Sequence, residues 1–126
     1  MDLTGKKILV VEDEEFNWWL IRDTLEDTNA QFVWAKFGQQ ALDILAEDAS
    51  INLVLMDMKM PILDGYETTR KLKEFWPELP VIAQTAFARN EEKDKCLEAG
   101  CDSYITKPLD FAELKDLLKE YLGKNK

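Results

Sequence analysis

Residues Asn52–Gly65 read NLVLMDMKMPILDG. Leu53, Val54, Leu55 and Met56 are all apolar, without the alternation of a strand that has one wet face. A short unbroken apolar run suits a strand covered on both sides, as in a parallel sheet. Asp57 ends the run and Pro61 shapes the loop after it. Asp64 is a good N-cap for a helix over Asp64–Phe75, which carries Leu72, Phe75 and Trp76 toward its end. Gly65 lets that helix begin close to the preceding strand. The stretch is one strand–loop–helix unit with a carboxylate at the strand's carboxyl end.

The same unit recurs along the chain. Apolar or aromatic runs occur at Lys7–Val11, Gln31–Ala35, Asn52–Met56, Pro80–Gln84 and Ser103–Ile105, each too short for a helix. Between them lie helical spacings. Phe16–Thr28 has a core face set by Asn17, Leu20, Ile21 and Leu25, with Trp19 nearly opposite and Trp18 at the edge. Gln39–Glu47 carries Ala41, Leu42, Ile44 and Leu45. Glu91–Ala99 ends at Gly100, which suits a left-handed cap. Asp110–Leu122 opens with Asp110 and Glu113, a capping-box spacing, and ends at Gly123. Five strand–helix alternations with short connections predict one α/β domain over residues 1–126, a parallel sheet with helices on both faces.

Bulk properties narrow the chemistry. The 126 residues are 46% hydrophobic and 33% charged, as in an ordinary globular domain. No apolar run approaches the roughly 20 residues of a membrane span, and the first residues carry no secretory signal, so the default expectation is a cytoplasmic chain without membrane contact. A net charge of -9 speaks against direct nucleic-acid binding, which needs clustered Lys and Arg. The chain has no His, and Cys96 and Cys101 lack a CxxC spacing, which speaks against a zinc site, removes His-dependent catalysis and leaves two free thiols as the expectation. What remains is chemistry on carboxylates, hydroxyls, lysines and a hard metal.

Ligands of open parallel sheets bind outside the carboxyl ends of the strands. Glu12, Asp13, Glu14 and Glu15 follow the first run, Asp57 the third, Thr85 and Ala86 the fourth, and Thr106, Lys107 and Pro108 the fifth. Alone, each has an ordinary explanation as a cap, a solvated charge or a local hydrogen bond. Brought to one edge, Glu12, Asp13 and Asp57 would repel one another unless a cation offsets them. A divalent oxygen-seeking ion does so while keeping positions open for phosphate. Lys107 adds a second positive charge and Thr85 a hydroxyl. The set suits phosphoryl transfer to Asp57 as nucleophile.

ILVVEDEEFN (Ile8–Asn17), LVLMDMKMPILDGYE (Leu53–Glu67), VIAQTAFA (Val81–Ala88) and AGCDSYITKPL (Ala99–Leu109) occur in this order, and with them the chain resembles the receiver domain of two-component response regulators from Lys6 to Leu122. The resemblance implies a doubly wound, flavodoxin-like (βα)5 fold with strand order 2-1-3-4-5. It implies Asp57 as phosphoacceptor, Glu12, Asp13, Asp57 and the Lys59 carbonyl as the site of Mg2+ (or Mn2+), with Glu12 acting through water, and Thr85, Ala86 and Lys107 around the phosphoryl group. Tyr104 would be the switch aromatic, and the bond before Pro108 would be cis. Lys59 and Phe87 would tune phosphoryl lifetime. The donor would be a sensor histidine kinase or a histidine phosphotransfer protein, with Trp18 and Trp19 helping to dock it. The domain would be no enzyme beyond its own phosphorylation and dephosphorylation, and the resemblance leaves a phosphorylation-dependent dimer open. The phrasing of the motifs is most like receivers of hybrid sensor kinases. A non-phosphorylated pseudo-receiver is disfavoured by the intact acidic, hydroxyl and lysine set. A haloacid-dehalogenase-like phosphatase is disfavoured by Lys59, where that class needs a second Asp.

Overall fold

The computed structural model describes residues 1–86 and 90–123. The elements alternate as β1 (Lys7–Val11), α1 (Glu15–Thr24), β2 (Gln31–Ala35), α2 (Gly38–Glu47), β3 (Leu53–Asp57), α3 (Gly65–Phe75), β4 (Val81–Thr85), α4 (Asn90–Ala99), β5 (Ser103–Thr106) and α5 (Phe111–Leu122). A 3-10 turn over Glu26–Thr28 follows α1. All strands are parallel, in the order β2-β1-β3-β4-β5. This is the flavodoxin-like arrangement. No helix among the described residues is long and apolar enough to cross a membrane.

Alternate side chains of each central strand enter two separate layers. Leu9, Val11, Val54, Met56, Val81 and Ala83 pack with Ala41, Leu45, Leu72 and Cys96 of α2, α3 and α4. Ile8, Val10, Leu53, Leu55, Ile82 and Ile105 pack with Trp18 and Ile21 of α1 and Leu114 and Leu118 of α5. Every residue of β3 and β4 is buried, which explains their unbroken apolar reading. The edge strands β2 and β5 are partly exposed and read more weakly.

Three strands run one residue further than their apolar runs, β3 to Asp57, β4 to Thr85 and β5 to Thr106. The Met58 N–H donates to the Gln84 carbonyl at 3.1 Å, and the Lys107 N–H to the Thr85 carbonyl at 2.8 Å. Asp57 and Thr85 are therefore the last rungs of their strands and not the first residues of loops. Asp64 caps α3 by accepting the Glu67 N–H at 2.9 Å, and Asp110 caps α5 by accepting from Ala112 and Glu113. Gly100, at φ +108°, closes α4 in the left-handed region as its position predicts. Gly123, by contrast, ends α5 in the right-handed region.

The first helix is rotated from its predicted setting. Its buried face is Trp18, Ile21 and then Leu25, not Leu20, which is 42% exposed. Trp18 stacks on Trp34 of β2 with ring centroids 5.3 Å apart and planes 6° apart. A stacked indole pair buries more apolar area than a leucine at the same place, so it sets the helix's rotation. Trp18 is thus a core residue and leaves the docking surface to which it was assigned. Trp19 stays outside, beneath the Arg22 guanidinium at 4.8 Å.

Gly65 begins α3 against β3. A Cβ there would press on the Asp57 carbonyl and lie 2.5 Å from Met58 Cα, both main chain and unable to yield. Gly65→Ala is expected to destabilise the fold by about 1–3 kcal/mol, read as a lowered urea midpoint. An unchanged midpoint would mean that α3 can stand off from β3.

Candidate functional site

Four strand ends converge at the carboxyl edge of the sheet. β1 delivers Glu12, fully buried, and then Asp13, half-buried. β3 delivers Asp57, 3% exposed. β4 ends on Thr85, 5% exposed, followed by exposed Ala86. The segment after β5 delivers Lys107, whose bond to Pro108 is cis. One carboxylate oxygen from each of Glu12, Asp13 and Asp57 lies within 4.8 Å of the others. Lys107 Nζ stands 3.3 Å from Asp57 Oδ1 and 3.4 Å from Glu12 Oε1. A cavity of about 570 Å³ opens above them, lined by Asp13, Asp57, Lys59, Ala86 and Lys107 among others.

Glu12 and Asp57 are held by neighbours that their own sequence positions do not reveal. The Trp34 indole N–H donates to the Glu12 carbonyl at 2.8 Å, so β2 pins the main chain where the acidic run begins. Asn17 Nδ2 donates to Glu12 Oε2 at 3.4 Å and to Glu14 at 3.1 Å. The Lys59 N–H donates to Asp57 Oδ1 at 3.1 Å, while the Lys59 side chain is exposed. Asn17 and Trp34 were not singled out from sequence. Asn17 was read as a core-face residue, and a Trp in an edge strand carries no signal of a site contact.

The electrostatics follow from this crowding. Burial, and then the Glu12 carboxylate, push the Asp57 carboxyl up to about 7, against the opposing pull of Lys107 and of the Lys59 N–H. Burial alone would depress the Lys107 ammonium, but Glu12 and Asp57 outweigh it and raise its pKa. Three carboxylates facing one ammonium leave two uncompensated charges if all ionise. A donor set made wholly of hard oxygens fits a divalent cation such as Mg2+ and no soft metal. Cys96, in α4, and Cys101, in the α4–β5 turn, are free and buried.

Tyr104 is half-buried against the α3–α4 side of the core, with the Lys93 ammonium 5.4 Å from its ring centroid. A second cavity of about 320 Å³ lies beside Thr85, bounded by Met58, Tyr66 and Glu92. Phe87, the expected shield of the phosphoryl group, lies outside the described residues.

The response regulator receiver domain family matches residues 8–119. The chain belongs to that family. The polar-differentiation response regulator DivK of Brucella ovis is 38% identical, over 94% of this chain and 97% of its own. The receiver domain of the sensor histidine kinase PA1611 of Pseudomonas aeruginosa, solved with a magnesium ion in its active-site cleft, is 35% identical with a TM-score of 0.85, over 96% of this chain and all of that one (100%). The receiver of Ssk1, solved with the phosphotransfer protein Ypd1 of Saccharomyces cerevisiae, reaches a TM-score of 0.89 at 26% identity, over 95% and 90%. The receiver fold, strand order and signalling class expected from sequence are therefore correct.

The raised Asp57 pKa has a consequence for receiver stability. Near pH 4 the carboxyl is protonated in the folded chain and close to its ordinary midpoint in the unfolded one. Its stabilising contribution is complete below that midpoint and is lost as pH rises through about 7. Asp57→Asn stays neutral throughout. Without divalent metal it is expected to exceed the wild type by ~1–3 kcal/mol at pH 8 and to match it near pH 4. Urea titrations at both pH values measure this, and a gap independent of pH would contradict it.

Proposed function

We propose that this receiver takes a phosphoryl group onto Asp57 from a phosphohistidine donor, retains it for a limited time, and changes conformation while it is attached. The carrying observation is the buried Asp57 carboxylate at the end of β3, 3.3 Å from Lys107 Nζ and within 4.8 Å of Glu12 and Asp13. An Asp57 oxygen attacks phosphorus as the bond from phosphorus to the donor imidazole nitrogen breaks, and the imidazole departs with the bonding pair. Glu12, Asp13, Asp57 and the Lys59 carbonyl hold Mg2+ (or Mn2+), which supplies charge neutralisation for the transferring oxygens. Lys107 turns from the carboxylates to a phosphoryl oxygen. The Thr85 hydroxyl and the Ala86 N–H then bind the remaining oxygens, and Tyr104 follows Thr85 inward.

Phosphorylation adds about two negative charges and three acceptor oxygens. It can act only by binding one of two conformations better than the other. The surface of α4, β5 and α5 is the face that reads this out. No substrate other than the phosphoryl donor is turned over; the domain catalyses only its own phosphorylation and dephosphorylation. In this reading the partner is a sensor kinase or a histidine phosphotransfer protein, supported by the PA1611 receiver and the Ypd1–Ssk1 complex as structural neighbours.

The docking surface for that partner is the outer face of α1. Phe16 is 74% exposed, Trp19 44% and Leu20 42%, and their i, i+3, i+4 spacing puts them on one stripe beside the acidic edge. Phe16 and Leu20 take over the role first assigned to Trp18. Exposed aromatic residues clustered next to a transfer site are the composition of an interface centre.

Incubation with acetyl phosphate and Mg2+ is expected to add one phosphoryl group per chain by intact mass, and none in Asp57→Asn. Turnover of a phosphate ester, or no adduct, would defeat the reading. For the docking face, the double variant Phe16→Ala/Trp19→Ala is expected to slow transfer from the cognate phosphohistidine donor by roughly tenfold or more while phosphorylation by acetyl phosphate is unchanged. Equal loss with both donors would place these residues in the fold and not in docking.

A further inference from the structure

β4 carries one residue that its surroundings do not account for. Gln84 is 1% exposed, between buried Ala83 and Thr85. Among the described residues, neither the oxygen nor the nitrogen of its carboxamide has a hydrogen-bond partner. Burying an amide without partners gives up its bonds to water for nothing. An apolar residue, like Val81 and Ile82 before it, would fill the same space without that cost.

The ladder locates this amide. Gln84 pairs with Asp57 on one side and with Ile105 on the other. Paired residues of neighbouring strands send their side chains to the same face of the sheet. That face is the α1–α5 side, because Ile105 lies in that layer with Ile82 and Leu55. Glu12 continues the same face from Val10 on β1. Glu12, Asp57, Gln84 and Ile105 thus form one row across the top of the sheet. Lys107 enters from the β5 side and reaches Asp57 on β3 and Glu12 beyond β1. Since β4 lies between β5 and β3, the lysine arm crosses the end of β4, where the Lys107 N–H meets the Thr85 carbonyl one residue beyond Gln84.

Building on the phosphoacceptor reading, we propose that Gln84 is a positioning residue for Asp57 and Lys107. Its carboxamide is unbonded while Lys107 holds the free Asp57 and Glu12 carboxylates, and becomes bonded once Asp57 carries its phosphoryl group. In the acyl phosphate one Asp57 oxygen becomes an uncharged carbonyl and the ammonium turns toward the phosphoryl oxygens. The Gln84 N–H is a fitting donor for that carbonyl, and the Gln84 carbonyl a fitting acceptor for the lysine as it moves. A group unsatisfied in one state and satisfied in the other favours the second state, which is the differential interaction a population shift requires.

The test uses Mg2+ and beryllofluoride, a non-covalent stand-in for the phosphoryl group, on the full chain, on Gln84→Met and on Asp57→Asn. Gln84→Met keeps the length of the side chain and removes its polar atoms. It is expected to raise the urea midpoint of the unmodified protein, to weaken beryllofluoride binding roughly fivefold or more, and to gain less in midpoint from beryllofluoride than the wild type does. Equal beryllofluoride affinity in the two proteins overturns the inference, as does a lowered midpoint in unmodified Gln84→Met, since the amide would then be satisfied already. A merely structural Gln84 would move the midpoint and leave the affinity where it is. If the wild type fails to bind beryllofluoride, or Asp57→Asn binds it equally well, the phosphoacceptor reading falls, and the inference with it.

Discussion

The repulsion among Glu12, Asp13 and Asp57 is the constraint to which the rest of the receiver answers. Like charges this close in a partly dry site cannot all remain ionised without help. Lys107 offsets part of it, reaching Asp57 and Glu12 at 3.3 and 3.4 Å. Burial of Asp57, together with the part of the Glu12 repulsion that is left, appears as the raised Asp57 pKa, which is a cost the folded chain carries at neutral pH. A divalent cation relieves that cost, and it supplies the charge a phosphoryl group needs in order to approach. Affinity for metal and readiness for phosphoryl transfer therefore share one cause, the crowding of acids at a buried strand end.

The fold generates this crowding because a parallel sheet collects its strand ends at one edge. Residues far apart in sequence meet there only if register and strand order are right. Pairing of Val11 with Met56 brings the β1 acids beside Asp57, and pairing of Asp57 with Gln84 brings β4 alongside. The Trp34 bond to the Glu12 carbonyl then fixes the first acid from the other side, through β2. The Trp18–Trp34 stack ties the same strand to α1, so the helix that exposes Phe16 and Trp19 is anchored to the strand that positions Glu12. The outer face of α1 and the acidic site are thus one mechanical unit.

Much of this was legible in the sequence, for physical reasons. Residues buried on both faces of β3 and β4 must be apolar throughout, so those strands announce themselves. A single carboxylate after such a strand has ordinary explanations, so Asp57 stands out only when the residues after all the strands are taken together. Other features were hidden because they depend on pairwise contact. The rotation of α1 depends on Trp18 meeting Trp34, and periodicity along one helix cannot contain that meeting; it makes Leu20 a core residue and puts Trp18 at the edge. The extra rung that places Asp57 and Thr85 inside their strands depends on hydrogen bonds from neighbouring main chain. Gln84 passed as part of an apolar run, since only the ladder shows what stands on either side of it.

The helix packed beside β5 and Tyr104, α4, is held in a different way from the others. Cys96 and Ala99 are the buried residues of α4, and Leu97 is 59% exposed. Much of its attachment is polar or cationic. Tyr66 donates to Glu92 at 2.8 Å, the Lys95 ammonium lies 4.8 Å from the Tyr66 ring centroid, and Lys93 covers Tyr104. Contacts of this kind contribute about 0.5–1 kcal/mol each at exposed sites, far less than the burial that fixes β3 and β4. They can be exchanged for similar contacts after a small displacement, whereas an apolar interface would have to open a cavity. In the proposed phosphorylation, a charge change at Asp57 would therefore find its cheapest mechanical outlet in α4 and in the Tyr104 that Lys93 covers, because there the surrounding structure resists least.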